Sequence, residues 1–197
     1  MKYIFVAGAP GSKWSSVVKN IYWSGDIDHT DYSEKRTYYH DASGSLDLMH
    51  LGAYFDPGME FALPENISAL NRQQLENIFD QPFEDNPHKI KIVKSHLFSE
   101  YIDYLKFLFP EVPIITVHRD DDACMGWWVK CGHFDITYPS YQSYFKDFRN
   151  MAAIIHRQNA AIRTAQQNYP GQRAQTNQQL ARILGISQPP LENRQVY

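Results

Sequence analysis

The chain has 197 residues, a formal net charge of −3 and a pI of about 6.2; 43% of it is hydrophobic and 21% charged. That length suits a single domain with a proper core, and the slightly acidic balance excludes nucleic acid or an anionic membrane surface as partners held by overall charge. No apolar run approaches the roughly 20 residues of a membrane span, and the start, with only Lys2 ahead of a strand-length run, contains no signal-type segment. The expectation is a cytoplasmic protein without membrane association.

The first element is Tyr3-Ile4-Phe5-Val6-Ala7, an apolar run of strand length. It breaks into the small-residue turn Gly8-Ala9-Pro10-Gly11-Ser12 and resumes with helical spacing from Lys13 or Trp14 to about Trp23. A strand, a glycine-bearing loop and a helix N-terminus make an anion cradle. The glycines admit a close backbone approach, successive N–H groups point inward, and the helix dipole adds about half a positive charge. Lys13 adds a cation, and Ser12, Ser15 and Ser16 add hydroxyl donors. The spacing is not that of a nucleotide-hydrolysing P-loop, G-x-x-x-x-G-K-S/T. Gly8 to Lys13 is one residue short, and Trp14 stands where a magnesium-ligating hydroxyl belongs.

Positions 24–64 form a long irregular stretch with Asp26, Asp28, Asp31, Asp41 and Asp47 and the aromatics Tyr32, Tyr38, Tyr39, Tyr54 and Phe55. Loops of such length in a compact domain commonly cover a substrate; the competing reading is short helices and an edge strand over 35–39. Ser68 to Phe79 has helical spacing at Leu70, Leu75, Ile78 and Phe79. Ile90 to Val93 reads as a short strand that runs into Lys94-Ser95-His96. An amphipathic helix follows from Leu97 to Phe109, stopped by Pro110. Pro113 to Val117 is the third strand and ends at His118-Arg119. The next three residues, Asp120-Asp121-Asp122, suit the first turn of a helix from Asp122 to Val129, and their divergent directions argue for dipole compensation over a metal cluster. The spacing predicts a long helix from Ser140 to about Gln167 and a short last one from Gln178 to Leu184, with Gly185 beyond its end. Cys124 and Cys131 fit no metal or disulfide pattern and read as free thiols.

Strands alternating with helices imply an α/β fold with a parallel sheet and right-handed crossovers. Ligands of such sheets bind outside the carboxyl ends of the strands. Three strand ends then face one site and carry Gly8 to Lys13, Lys94-Ser95-His96 and Arg119. The abundance of rings (thirteen Tyr, eleven Phe and four Trp) fits either an aromatic-walled pocket or aromatic core packing.

These segments together resemble the sulfotransferases that use 3′-phosphoadenosine 5′-phosphosulfate (PAPS). Pro10-Gly11-Ser12-Lys13-Trp14-Ser15-Ser16 is similar to the family's phosphosulfate loop P-K/R-S-G-T-T/S. Lys94-Ser95-His96-Leu97 is similar to its K-T-H-L segment, and Val117-His118-Arg119-Asp120-Asp121-Asp122 to its V-x-R-N/D-P-x-D. Leu180-Ala181-Arg182-Ile183-Leu184-Gly185-Ile186 matches a common closing segment.

The resemblance implies a single three-layer domain over 1–197 with a P-loop-like phosphosulfate loop and a substrate-covering insert at 24–64. It implies transfer of a sulfuryl group from PAPS to a hydroxyl or amine of a small acceptor, aromatic or cationic, releasing PAP and needing no metal. His96 would be the general base, with Lys13 and Lys94 neutralising charge. Residues 10–16 and Arg119 would hold the nucleotide, Arg119 at its 3′-phosphate. His118, His40 and His50 are lesser candidates for the base. Three departures stand out: Gly11 where the family has its loop cation, Trp127 where it has a serine for the 3′-phosphate, and no R-K-G segment near the end, for which Arg173 or Arg194 could substitute. A non-catalytic nucleotide-binding protein and a P-loop nucleotide kinase are the other two readings.

Overall fold

The structure is a computed structural model and describes residues 1–31, 51–57, 61–130, 147–169 and 177–187. Its centre is β1 (Tyr3–Gly8), whose six residues are all buried. Their alternation sorts them onto two faces. Tyr3, Phe5 and Ala7 belong to one core cluster, Ile4 and Val6 to the other. β1 pairs in parallel with β3 (Lys91–Lys94) on one side and with β4 (Ile114–Val117) on the other. β3 pairs in parallel with a two-residue edge strand, β2 (Ala53–Tyr54), so the sheet runs β2-β3-β1-β4.

Helices cover both faces. α1 (Trp14–Tyr22) buries Trp14, Val18, Ile21 and Tyr22 against Ile4 and Val6, beside Ala181 and Leu184 of α6 (Asn177–Leu184). On the other face α2 (Arg72–Phe79) and α3 (Ile102–Leu108) bring Leu75, Phe79 and Leu105 onto Tyr3 and Phe5. The Phe5 ring lies 5.4 Å from Phe79, 5.3 Å from Phe98 and 5.2 Å from Phe109, centroid to centroid. These rings are core and not pocket wall. α4 (Asp121–Lys130) and α5 (Phe148–Asn168) pack together over Ala9 through Cys124, Trp128, Met151 and Ile155. Cys124 is a free, buried thiol. No helix among the described residues is long and apolar enough to cross a membrane.

The α/β class and the parallel sheet are as expected, and three helices differ from their predicted spans. The segment expected as one helix over 68–79 is a 3-10 turn, Ile67–Ala69, then extended Leu70, then α2. Asn71 starts α2 with a capping box, its side chain accepting from the Gln74 amide while the Gln74 side chain accepts from the Asn71 amide. That reciprocal cap stabilises a helix start where periodicity alone continues. The segment 97–109 breaks at Tyr101 (φ −124°, ψ 22°), which separates a 3-10 turn, Leu97–Glu100, from α3 and whose hydroxyl reaches the Glu65 carbonyl at 3.0 Å. The long helix expected from Ser140 starts at Phe148, because Asp147 is extended and its carboxylate caps the Asn150 amide at 2.6 Å.

The chain contains a fourth strand, β2, inside the stretch read as an insert. The edge strand considered over 35–39 lies outside the described residues, as do His40, His50, Asp41, Asp47, Cys131, Arg173 and Arg194.

Candidate anion and base site at the carboxyl edge of the sheet

β1 ends in a tight loop. Ser12 N–H donates to the Ala9 carbonyl at 3.0 Å, and Gly11 adopts φ +77°. Only glycine fits there, since a Cβ on Gly11 would sit 2.1 Å from the Cys124 carbonyl oxygen of α4. Lys13 is also left-handed (φ +62°) and occupies the cap position of α1 without a side-chain cap bond. Pro10 is buried, as are Ser12 and Ser15, whereas Ser16 is half-buried and its N–H donates to the Lys13 carbonyl at 3.0 Å. Ser12 is 4% exposed and its Oγ, turned towards Gly8, has no hydrogen-bond partner. A buried hydroxyl without a partner is costly, and an anion in the loop would satisfy it.

The ends of β3 and β4 close on this loop from both sides. Ser95 N–H donates to the Val6 carbonyl at 3.2 Å, and His96 Nδ1 donates to the Gly8 carbonyl. A carbonyl only accepts, so Nδ1 carries the proton and in the neutral ring Nε2 is the basic nitrogen. The imidazole is 4% exposed, stacked on Trp14 (4.0 Å, 12°) with Tyr54 edge-on at 5.5 Å. His96 does not cap the following turn with its side chain. Arg119 Nη1 donates to the Gly11 carbonyl at 3.1 Å. Its own carbonyl is held by Asn159 at 2.8 Å.

Two residues are placed less simply. Lys94 is fully buried below the edge, its Nζ 2.5 Å from the Leu51 carbonyl. Burial pushes its ammonium down to about 7, against the pull of the Asp31 charge. Asp31 in turn is raised to about 6 by burial, opposed by a hydrogen bond from Tyr22 and by the Lys94 charge. Lys13 places its Nζ 4.0 Å from the Trp127 ring centroid, and Lys130 and Arg119 lie over the same indole at 5.5 and 6.0 Å. Among the described residues none of these three cations pairs with a carboxylate. Three cations therefore gather around one indole beside the loop, with Asp120, Asp121 and Asp122 next to Arg119 in the chain.

The aspartates after Arg119 diverge. Asp121 receives Asn159 at 2.7 Å and faces His156 Nδ1 at 2.9 Å, while Asp120 and Asp122 are exposed. Burial alone would raise Asp121, and these two partners hold it below the usual range. His118 Nε2 accepts from Arg163 at 3.3 Å and is engaged there.

One residue at this edge was not singled out from sequence. Asp56, just beyond β2 and 1% exposed, accepts from Tyr54 at 2.7 Å, from Ser95 Oγ at 2.8 Å and from the Leu97 amide at 3.4 Å. Burial pushes its carboxyl up to about 7 against those bonds. The signal available in the sequence was its place before Pro57 at the end of Ala53-Tyr54-Phe55, another strand end at the same edge. Comparison with known protein families, curated proteins and solved structures finds no match to this chain.

Proposed function

We propose that the chain is a PAPS-dependent sulfotransferase acting on a small-molecule acceptor, with loop 10–16 as a P-loop-like phosphosulfate site in a three-layer α/β/α domain. The observation that carries the reading is the bond from His96 Nδ1 to the Gly8 carbonyl. It ties an oriented imidazole base to the residue where the strand turns into the anion loop. Sulfuryl transfer needs these two things side by side, an anion held in place and a base for the acceptor proton.

In the reaction the acceptor oxygen or nitrogen forms a bond to sulfur as the bond from sulfur to the 5′-phosphate oxygen breaks. The acceptor proton passes to His96 Nε2, and PAP departs with the electron pair. The loop amides, the N-terminus of α1 and the Ser12 hydroxyl hold the 5′-phosphate. Arg119, beside Gly11, takes the 3′-phosphate. Lys13 swings from Trp127 to the sulfuryl oxygens. A cation–π contact at such a site contributes about 0.5–1 kcal/mol, and a charge-assisted hydrogen bond about 1.5–3 kcal/mol, so the anion wins the ammonium. Lys94 acts from below the site as a buried cation close to neutrality, and the reaction itself requires no metal.

A second reading, a nucleotide-binding protein without catalysis, is favoured by the engagement of both candidate cations, Lys13 on Trp127 and Lys94 on Leu51. Calorimetry separates the readings. PAP binding without magnesium, together with transfer of label from PAPS in an acceptor screen and its loss in His96→Ala, is the expected result. PAP binding with no acceptor turned over supports the second reading. Binding of ATP alone, and only with magnesium, would sink the sulfotransferase reading and favour the kinase.

A further inference from the structure

The turn that carries His96 is held from outside. β3 ends at Lys94, and the chain enters the 3-10 turn Leu97–Glu100 with buried amides at its start and no cap from its own His96 side chain. The group that satisfies those amides is Asp56, from the far side of β3. One carboxylate oxygen accepts from the Leu97 amide and from Ser95 Oγ, and Ser95 Oγ itself accepts from Leu97 at 3.1 Å. The other oxygen accepts from Tyr54, whose ring stands edge-on to the imidazole. The residues on both sides of His96, and one ring that touches it, thus converge on a single buried carboxylate. Trp14 stacks on the imidazole face.

We propose that Asp56 is a positioning residue for His96, acting through Ser95, the Leu97 amide and Tyr54 to keep the imidazole in its Nδ1–H tautomer and aimed at the anion loop. The catalytic meaning of this rests on the sulfotransferase reading above; the placement itself does not. The division of labour is sound chemistry. A carboxylate that touched the imidazole directly would hold one ring nitrogen, whereas here the Gly8 carbonyl holds Nδ1. Asp56 instead keeps the backbone in place from which the ring projects, and the loss of any one donor weakens that hold without removing the base. Among the described residues, the titratable groups near the ring include Tyr54 and Asp56 from the β2 side and Lys94 from β3. On the loop side Lys13 points to Trp127 and Arg119 to the Gly11 carbonyl.

The test uses the full chain labelled with ¹⁵N in its histidine rings. In the unaltered protein at mildly alkaline pH, His96 should give one protonated and one unprotonated ring-nitrogen signal, the pattern of a single tautomer. In Asp56→Asn the amide sets an N–H₂ donor against either Tyr54 or the Ser95–Leu97 pair, and the two signals should move towards a common averaged position. Transfer from PAPS should then lose about tenfold or more in kcat, with PAP affinity and KM within about twofold. Tyr54→Phe in the Asp56→Asn background removes the opposing donor and should restore part of both. Should Asp56→Asn fail to fold, Ser95→Ala, which deletes one donor and leaves only a small gap, should give the same signal averaging in part. A single unshifted tautomer in whichever variants fold, with kcat unchanged, overturns the proposal. Absence of any PAP binding or transfer in the unaltered protein overturns the sulfotransferase reading instead, and the ring-nitrogen pattern still decides whether Asp56 positions His96.

Discussion

Single residues in the loop after β1 are constrained for different reasons. Gly11 is required twice over, by its positive φ and by the Cys124 carbonyl where a Cβ would go. Gly11→Ala should therefore destabilise by about 3 kcal/mol, since strain at such a φ and an immovable backbone contact add. Gly25→Ala, which meets nothing within 4 Å, should stay within about 0.5 kcal/mol. Urea denaturation of the two variants checks this; equal midpoints would mean the loop can relax away from α4. Lys13 shares the left-handed conformation without glycine's freedom, at a cost of about 1 kcal/mol, and that conformation sends its side chain to Trp127. Sequence spacing placed Lys13 beside the loop but could not say where its ammonium would point, because that depends on the indole of another helix.

Among the elements, β1 and β4 were readable as short, mostly apolar runs and β3 as an Ile-Val pair between lysines, and each ends in chemistry. β2 was not, since two residues carry no periodicity. It joins the sheet because β3 offers it a free edge. The helix boundaries missed at Asn71, Tyr101 and Asp147 share a cause. Apolar spacing continued across them, and a side-chain or backbone hydrogen bond decided the break. Asn71→Ala should lower stability by about 1 kcal/mol, read from the denaturation midpoint, and leave PAP affinity unchanged because α2 covers the core face away from the loop. A change in affinity would show that the two faces communicate. The site was legible as three strand ends and illegible in depth. That Lys94 is buried and that Asp56 collects three donors follow from packing around β2, which no local pattern displays.

For the whole molecule, the buried ionisable groups dictate how stability varies with pH. Asp56, at about 7 when folded against an ordinary 3.8, binds more protons folded than unfolded between those values, and Asp31 does so up to about 6. Stability must fall as pH rises across that window. Lys94, at about 7 folded against 10.5, binds fewer protons folded between those values, so stability must rise again above neutrality. The melting temperature should pass through a minimum near pH 7. Asp56→Asn should flatten the acid limb and Lys94→Met the alkaline one. A maximum at neutral pH would show that these groups are not buried as described.

The central place of β1 has a consequence for how the protein is made. Tyr3 pairs with Lys91 and Phe5 with Ile114, so β1 leaves the ribosome well before either of its partner strands has been made. At about 5–20 residues per second that wait is roughly 5–20 s, during which an entirely apolar segment is open to chaperones or to its own copies. The loop attached to it is thus synthesised well before the strand ends of β3 and β4 that close on it.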